Sequence, residues 1–80
     1  MDTELIEELA ALEHNQWLSW TGIVMSEVSE ERRERWKNYH VPYAELPEDV
    51  KSLDREWARK TLAIVLKHEK KRILALLKVV

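Results

Sequence analysis

Three short words in this chain hold the residues able to do chemistry: His14-Asn15-Gln16-Trp17, Val41-Pro42-Tyr43 and Leu53-Asp54-Arg55. His14 and Trp17 are three residues apart, so on a helix they share a face. A tryptophan ring stacks on a planar ligand, and an imidazole beside it supplies a hydrogen bond. The same spacing also fits a tryptophan filling the core and a histidine satisfying a backbone carbonyl, because aromatics at helical spacing are usually core. Pro42 fixes an extended connector and aims Tyr43, either as a lid over a ligand or as a packing turn. Asp54 reads mainly as structural, and Arg59 lies one turn beyond Arg55.

The stretch Arg32-Arg33-Glu34-Arg35-Trp36-Lys37-Asn38-Tyr39-His40 sets bases beside aromatics. An anionic planar ligand needs that pairing: rings take the base, and guanidinium forks take phosphate oxygens. A solvated helix neutralised by Glu30, Glu31 and Glu34 would look the same. Glu13 and Gln16 fall at helical angles within the apolar sector of their segment. A buried carboxylate has to be paired, and Arg55 or another base of the last helix is a candidate partner. His14, His40 and His68 lie one per segment with no His-x-x-x-His spacing and no cysteine, so no metal site is expected. No Ser, Thr or Lys sits in a recognisable catalytic setting, and one glycine in 80 residues leaves no phosphate loop. A non-catalytic protein without a cofactor is expected.

The elements that position these words follow from periodicity. A first helix is expected from Asp2 or Thr3 to Val24, with Leu5, Ile6, Leu9, Leu12, Trp17, Trp20, Ile23 and Val24 on one side. Asp2 or Thr3 would cap it. Gly22 would stop it or admit a close neighbour. A second, polar helix is expected from Ser26 or Ser29 to Tyr39, anchored by Trp36. Pro42 and Pro47 disfavour helix at the residues before them, making 40–47 a connector. Pro47 suits the start of a third helix, running to Lys78. That helix carries two stripes. One holds Leu53, Trp57, Thr61, Ile64, Val65, His68 and Arg72, the other Leu62, Leu66, Glu69, Ile73 and Leu77. Two apolar faces imply packing on the domain and on something else.

Length predicts one domain spanning 1–80. A chain this short buries roughly 60–65% of the surface it exposes when unfolded, so stability should be modest. Leu, Ile and Val supply 22 of the 80 residues, above the level of a disordered chain. Net charge is −2, which argues against a DNA- or RNA-binding domain. Residues 1–13 are acidic without a base, whereas 67–78 hold five bases and one acid. Helix dipoles account for that asymmetry. With no cysteine, no apolar run of membrane-spanning length and an acidic start, a cytoplasmic protein is expected.

Read together, the words resemble the ryanodine-receptor-type domain. His14 and Trp17 look like that family's His-x-x-Trp. Val41, Pro42 and Tyr43 look like its Val-Pro-Tyr. Leu46 and Pro47 look like the Leu-Pro opening its last helix, and Asp54 and Arg55 like its Asp-Arg. The resemblance covers residues 9–66, with 67–80 as a C-terminal helical extension. It departs at Gly22, where the family's Gly-Trp is Gly-Ile, and at His40, which directly precedes Val41. The resemblance implies an all-α fold of three helices and a binding module in its single-copy prokaryotic or phage form. The ligand it implies is an adenine nucleotide, cyclic nucleotide or ADP-ribose-type signal, sensed or sequestered in phage–host defence in the host cytoplasm. On that reading Trp17 stacks on the base and Tyr43 closes the pocket. Arg32, Arg33 and Arg55 meet phosphates, and His14 sets the orientation. A homo-oligomer, foremost a dimer, would form through the third helix. The alternative is an interaction or oligomerisation module without a small-molecule ligand.

Overall fold

The computed structural model describes residues 3–79 and shows three helices: α1 (Thr3–Val24), α2 (Glu30–Lys37) and α3 (Glu48–Val79). Single 3-10 turns lie at Met25–Glu27 and Tyr43–Glu45. The fold is an all-α small bundle with a long last helix and a proline-containing connector. No strand occurs among the described residues. No helix among them is long and apolar enough to cross a membrane.

α1 is rich in Leu, Ala and Glu, all good helix formers. Of its two expected caps, Asp2 lies outside the described residues, and Thr3 is already helical. Gly22 neither stops the helix nor admits a neighbour. It has no positive φ, a side chain added there would meet nothing within 4 Å, and helix continues to Val24.

α2 starts where Ser29 accepts a hydrogen bond from the Arg32 N–H at 3.2 Å, with Glu30 and Glu31 in the first turn. It stops at Lys37 rather than Tyr39. The Tyr39 and His40 N–H groups reach back only three residues, to the Trp36 and Lys37 carbonyls, tightening the exit ahead of Pro42. Pro47 then opens α3, its carbonyl taking the Val50 and Lys51 N–H groups at 3.1 and 3.0 Å.

α1 and α3 pack antiparallel. Ile6 and Ala10 meet Ala58 and Leu62, with Leu5, Leu9 and Tyr43 at the margin. Ala10 and Ala58 are both 0% exposed, and their small side chains let the helix backbones approach closely. Burying one Ile or Leu contributes about 1.5–3 kcal/mol, so Ile6, Leu62 and, in the connector, Leu46 make a thin core. The inward face of α3 is thus the Ala58–Leu62 side. Leu53, Trp57, Ile64 and Val65, from the other expected stripe, are exposed instead.

Leu62 is the last residue of α3 that is buried. Beyond it, residues 63–78 are all exposed and form an overhang. The molecule is 61 Å long, and its radius of gyration is 17.4 Å. A compact chain of this length would have about 12 Å.

Candidate functional site

The site forms where all three helices and the connector converge. His14, midway along α1, is buried. Its Nε2 lies 2.6 Å from the Val41 carbonyl oxygen. A carbonyl only accepts, so Nε2 carries a proton and donates it. This bond pins the connector onto α1 across 27 positions of sequence. The other ring nitrogen, Nδ1, stands 4.0 Å from Asp54 Oδ2 on α3, beyond hydrogen-bond reach, and the two groups attract when the imidazole is charged. Desolvation pushes the Asp54 carboxyl above its ordinary pKa. His14 opposes that shift, and Glu13 adds to it.

Around this polar pair stands a set of rings. Trp17 lies nearly parallel to His14, with centroids 5.8 Å apart and planes 17° apart. Trp36 of α2 meets Trp17 edge-on at 5.9 Å, and Trp20 flanks Trp36 at 6.1 Å. His40 packs on Trp17 at 4.9 Å. One turn beyond Trp17, Thr21 is fully buried and fixes His40 by a 2.8 Å hydrogen bond.

Between these elements opens a cleft of about 360 Å³. Trp17, Trp36 and Tyr39 supply its rings, and Val50 and Leu53 its aliphatic wall. His14 and Asp54 supply its polar groups. The cleft is mostly apolar with a few convergent polar groups, the usual make-up of a small-molecule site.

The six residues singled out by sequence do not all gather here. His14 and Trp17 line the cleft. Arg32 stands near it, its guanidinium 6.0 Å from the centre of the Trp36 ring. Arg33 turns back to its own chain and donates to the Val28 carbonyl at 3.2 Å. Tyr43 lies on another side of His14, 6.5 Å from it, and its hydroxyl donates to Glu7 at 3.0 Å. Arg55 bridges two carboxylates, Glu7 on α1 and Glu48 at the start of α3.

The partner of Arg55 is therefore Glu7, not Glu13. Hydrogen bonds from Arg55 hold the Glu7 and Glu48 carboxyls below the ordinary carboxylate range. Desolvation, helped by Glu7, pushes the Tyr43 hydroxyl up. Together Arg55, Glu7, Glu48 and Tyr43 form a clamp joining α1, the connector and α3. Arg55 and Arg59 also line a separate groove with Thr3, Ile6 and Glu7.

Trp36 and Tyr39, which the 32–40 stretch offered as rings for a planar ligand or as part of a solvated helix, line the cleft. Val50 and Leu53 had no expected ligand role, and Asp54 was expected only as structure. The signal was present in the spacing. Trp36 and Tyr39 are three apart, as are Val50 and Leu53, and each pair shares one helix face or its continuation.

The fold and cleft define a small three-helix bundle with an aromatic-walled site. No family model, curated protein or solved structure matches the chain.

Proposed function

We propose that the chain is a non-catalytic module that binds a nucleotide-like ligand in the aromatic cleft. The observation that carries this reading is the convergence of Trp17, Trp36 and Tyr39 over the His14–Asp54 pair. A purine slid against Trp17 finds flat apolar surface, and the Asp54 carboxylate can accept from an exocyclic amine. Phosphates would leave the cleft past Trp36, where the Arg32 guanidinium stands 6.0 Å from the ring centre. The resemblance to the ryanodine-receptor-type domain supports the same ligand class: an adenine nucleotide, a cyclic nucleotide or an ADP-ribose-type signal. Sensing or sequestering such a signal in phage–host defence, in the host cytoplasm, follows from that resemblance.

Stacking contributes about 1–3 kcal/mol per base. Micromolar affinity requires about 8 kcal/mol, so one ring is not enough. A second ring from Trp36 or Tyr39 and charge-assisted bonds to Asp54 and Arg32 supply the remainder. Titration calorimetry with adenine nucleotides, cyclic dinucleotides and ADP-ribose tests the proposal. Saturable heat that disappears in Trp17→Ala supports it. No heat at millimolar ligand, or unchanged binding in Trp17→Ala, overturns it.

A second reading rests on a different observation. Leu66, Ile73, Leu74, Leu76 and Leu77 are all about half exposed on the overhang of α3. That surface favours self-association through α3, either alongside ligand binding or as the chain's whole role.

A further inference from the structure

We infer that two copies of the chain pair antiparallel through the α3 overhangs. The basic end of each overhang then lies at the acidic start of the other copy's α1. This rests on the self-association reading above and specifies its surface, direction and register.

The stripe that forms the core does not end with the core. Ala58 and Leu62 are buried against α1, and Leu66, Ile73 and Leu76 continue the same side of α3 at steps of four, seven and three residues. Among the described residues of α3, Leu62 is the last to be buried, and Leu66, Ile73 and Leu76 are each at least half exposed. The radius of gyration, half as large again as a compact chain's, measures the same incompleteness.

Charge selects the occupant. The overhang carries Lys67, Lys70, Lys71, Arg72 and Lys78 against one acid, Glu69. The first half of α1 carries Glu4, Glu7, Glu8 and Glu13 and no base, with Glu7 held by Arg55 of its own chain. A second copy therefore brings both the apolar stripe and the opposite charge. An anionic lipid surface would also attract the lysines, but Glu69 falls inside the apolar stripe, between Leu66 and Ile73. It is ion-paired to Arg72 at 2.9 Å. An acid there would be pressed towards the hydrocarbon side of a surface-bound helix, at a desolvation cost. In a helix pair it can meet a base of the partner.

Charge also selects the direction. Parallel overhangs would set Glu69 level with Glu69 and base level with base, which is unfavourable. Antiparallel overhangs centred on Lys70 leave only the two Lys70 side chains level with a like charge, and they bring residue 66 level with 74 and residue 63 level with 77. Glu69 then lies level with Lys71. Lys78 reaches the level of the partner's Leu62, which packs with Ile6 in the first half of the partner's α1.

Light scattering and sedimentation equilibrium of the full chain test the pairing. The expected mass is twice 9.6 kDa. Leu66→Glu with Ile73→Glu should halve that mass while circular dichroism stays helical. If that variant loses helicity, Lys70→Glu with Lys71→Glu, which leaves the apolar stripe intact, should raise the dissociation constant at least tenfold. The chain has no cysteine, so direction can be read by oxidative cross-linking. Mixed Ala63→Cys and Leu77→Cys copies should give the mixed disulfide in preference to either homodisulfide. A monomer at millimolar concentration overturns the inference. So do homodisulfides alone, or a monomer that floats with phosphatidylserine vesicles. Nucleotide binding is scored separately: Trp17→Ala should abolish it without changing the mass.

Discussion

The Thr21 hydroxyl accepts a hydrogen bond from His40 Nε2 at 2.8 Å while donating its own proton to the Trp17 carbonyl at 2.6 Å. A hydroxyl has one proton to give. With that proton on the carbonyl, the one between Thr21 and His40 must come from the imidazole. Thr21 thus fixes the donor nitrogen of His40 and, through it, the ring packed on Trp17. Thr21→Val removes the acceptor with little change in shape. It should cost about 1–2 kcal/mol in urea denaturation, the usual penalty for stranding a buried polar group. Thr21→Ser should recover most of it.

The thin core makes a sharper contrast. Leu62 is buried against Ile6 and Ala10, whereas Ile64, two residues on, is 61% exposed. Leu62→Ala should cost about 2–3 kcal/mol and lower the melting temperature by roughly 10 °C or more in a domain this small. Ile64→Ala should stay within about 0.5 kcal/mol. Equal losses at both positions would mean that α3 turns a different face to α1.

Acid should act on two sets of carboxylates with opposite sign. Glu7 and Glu48 have lowered pKa values in the fold, so the stability they contribute is full above the ordinary carboxylate range. It is lost as pH falls through their lowered values. Asp54 has a raised value, so the fold gains from protonating it as pH falls through that value. Urea midpoints measured from about pH 7 down to about pH 3 separate the two. Arg55→Met should flatten the acid-side loss. Asp54→Asn should stabilise the fold near neutrality, and its advantage should fade towards acid.

The ligand site gives the clearest discrimination between sequence expectation and geometry. Arg55 is engaged by Glu7 and Glu48 and does not line the cleft. Arg55→Ala should therefore leave nucleotide affinity within about twofold, while Trp17→Ala should weaken it at least tenfold, roughly 1.4 kcal/mol. Arg32→Ala should fall between them and weaken phosphorylated ligands more than the nucleoside.

Helix number and most helix ends were legible in the sequence, because Ser29, Pro42 and Pro47 act locally. A cap or a missing N–H needs no knowledge of the rest of the chain. Register was not legible. Periodicity placed both Glu7 and Glu13 on α1 but could not say which comes level with Arg55. That depends on how far α3 slides along α1 before Ala10 and Ala58 seat against each other. The same limit applies to the cleft. His14 and Trp17 were found because they share a helix face. Val50, Leu53 and Asp54 approach them only after the connector has folded back under the His14–Val41 bond.

The unbroken length of α3 has a mechanical consequence. Val50, Leu53 and Asp54 wall the cleft near one end of the same rod that carries Leu66, Ile73 and Leu77 towards the other. No proline or glycine interrupts the rod between them, so it has no ready hinge to absorb a twist. Roll or tilt imposed at the far end is delivered to the cleft wall as displacement. Any influence that occupancy of one end has on affinity at the other must run equally in the reverse direction.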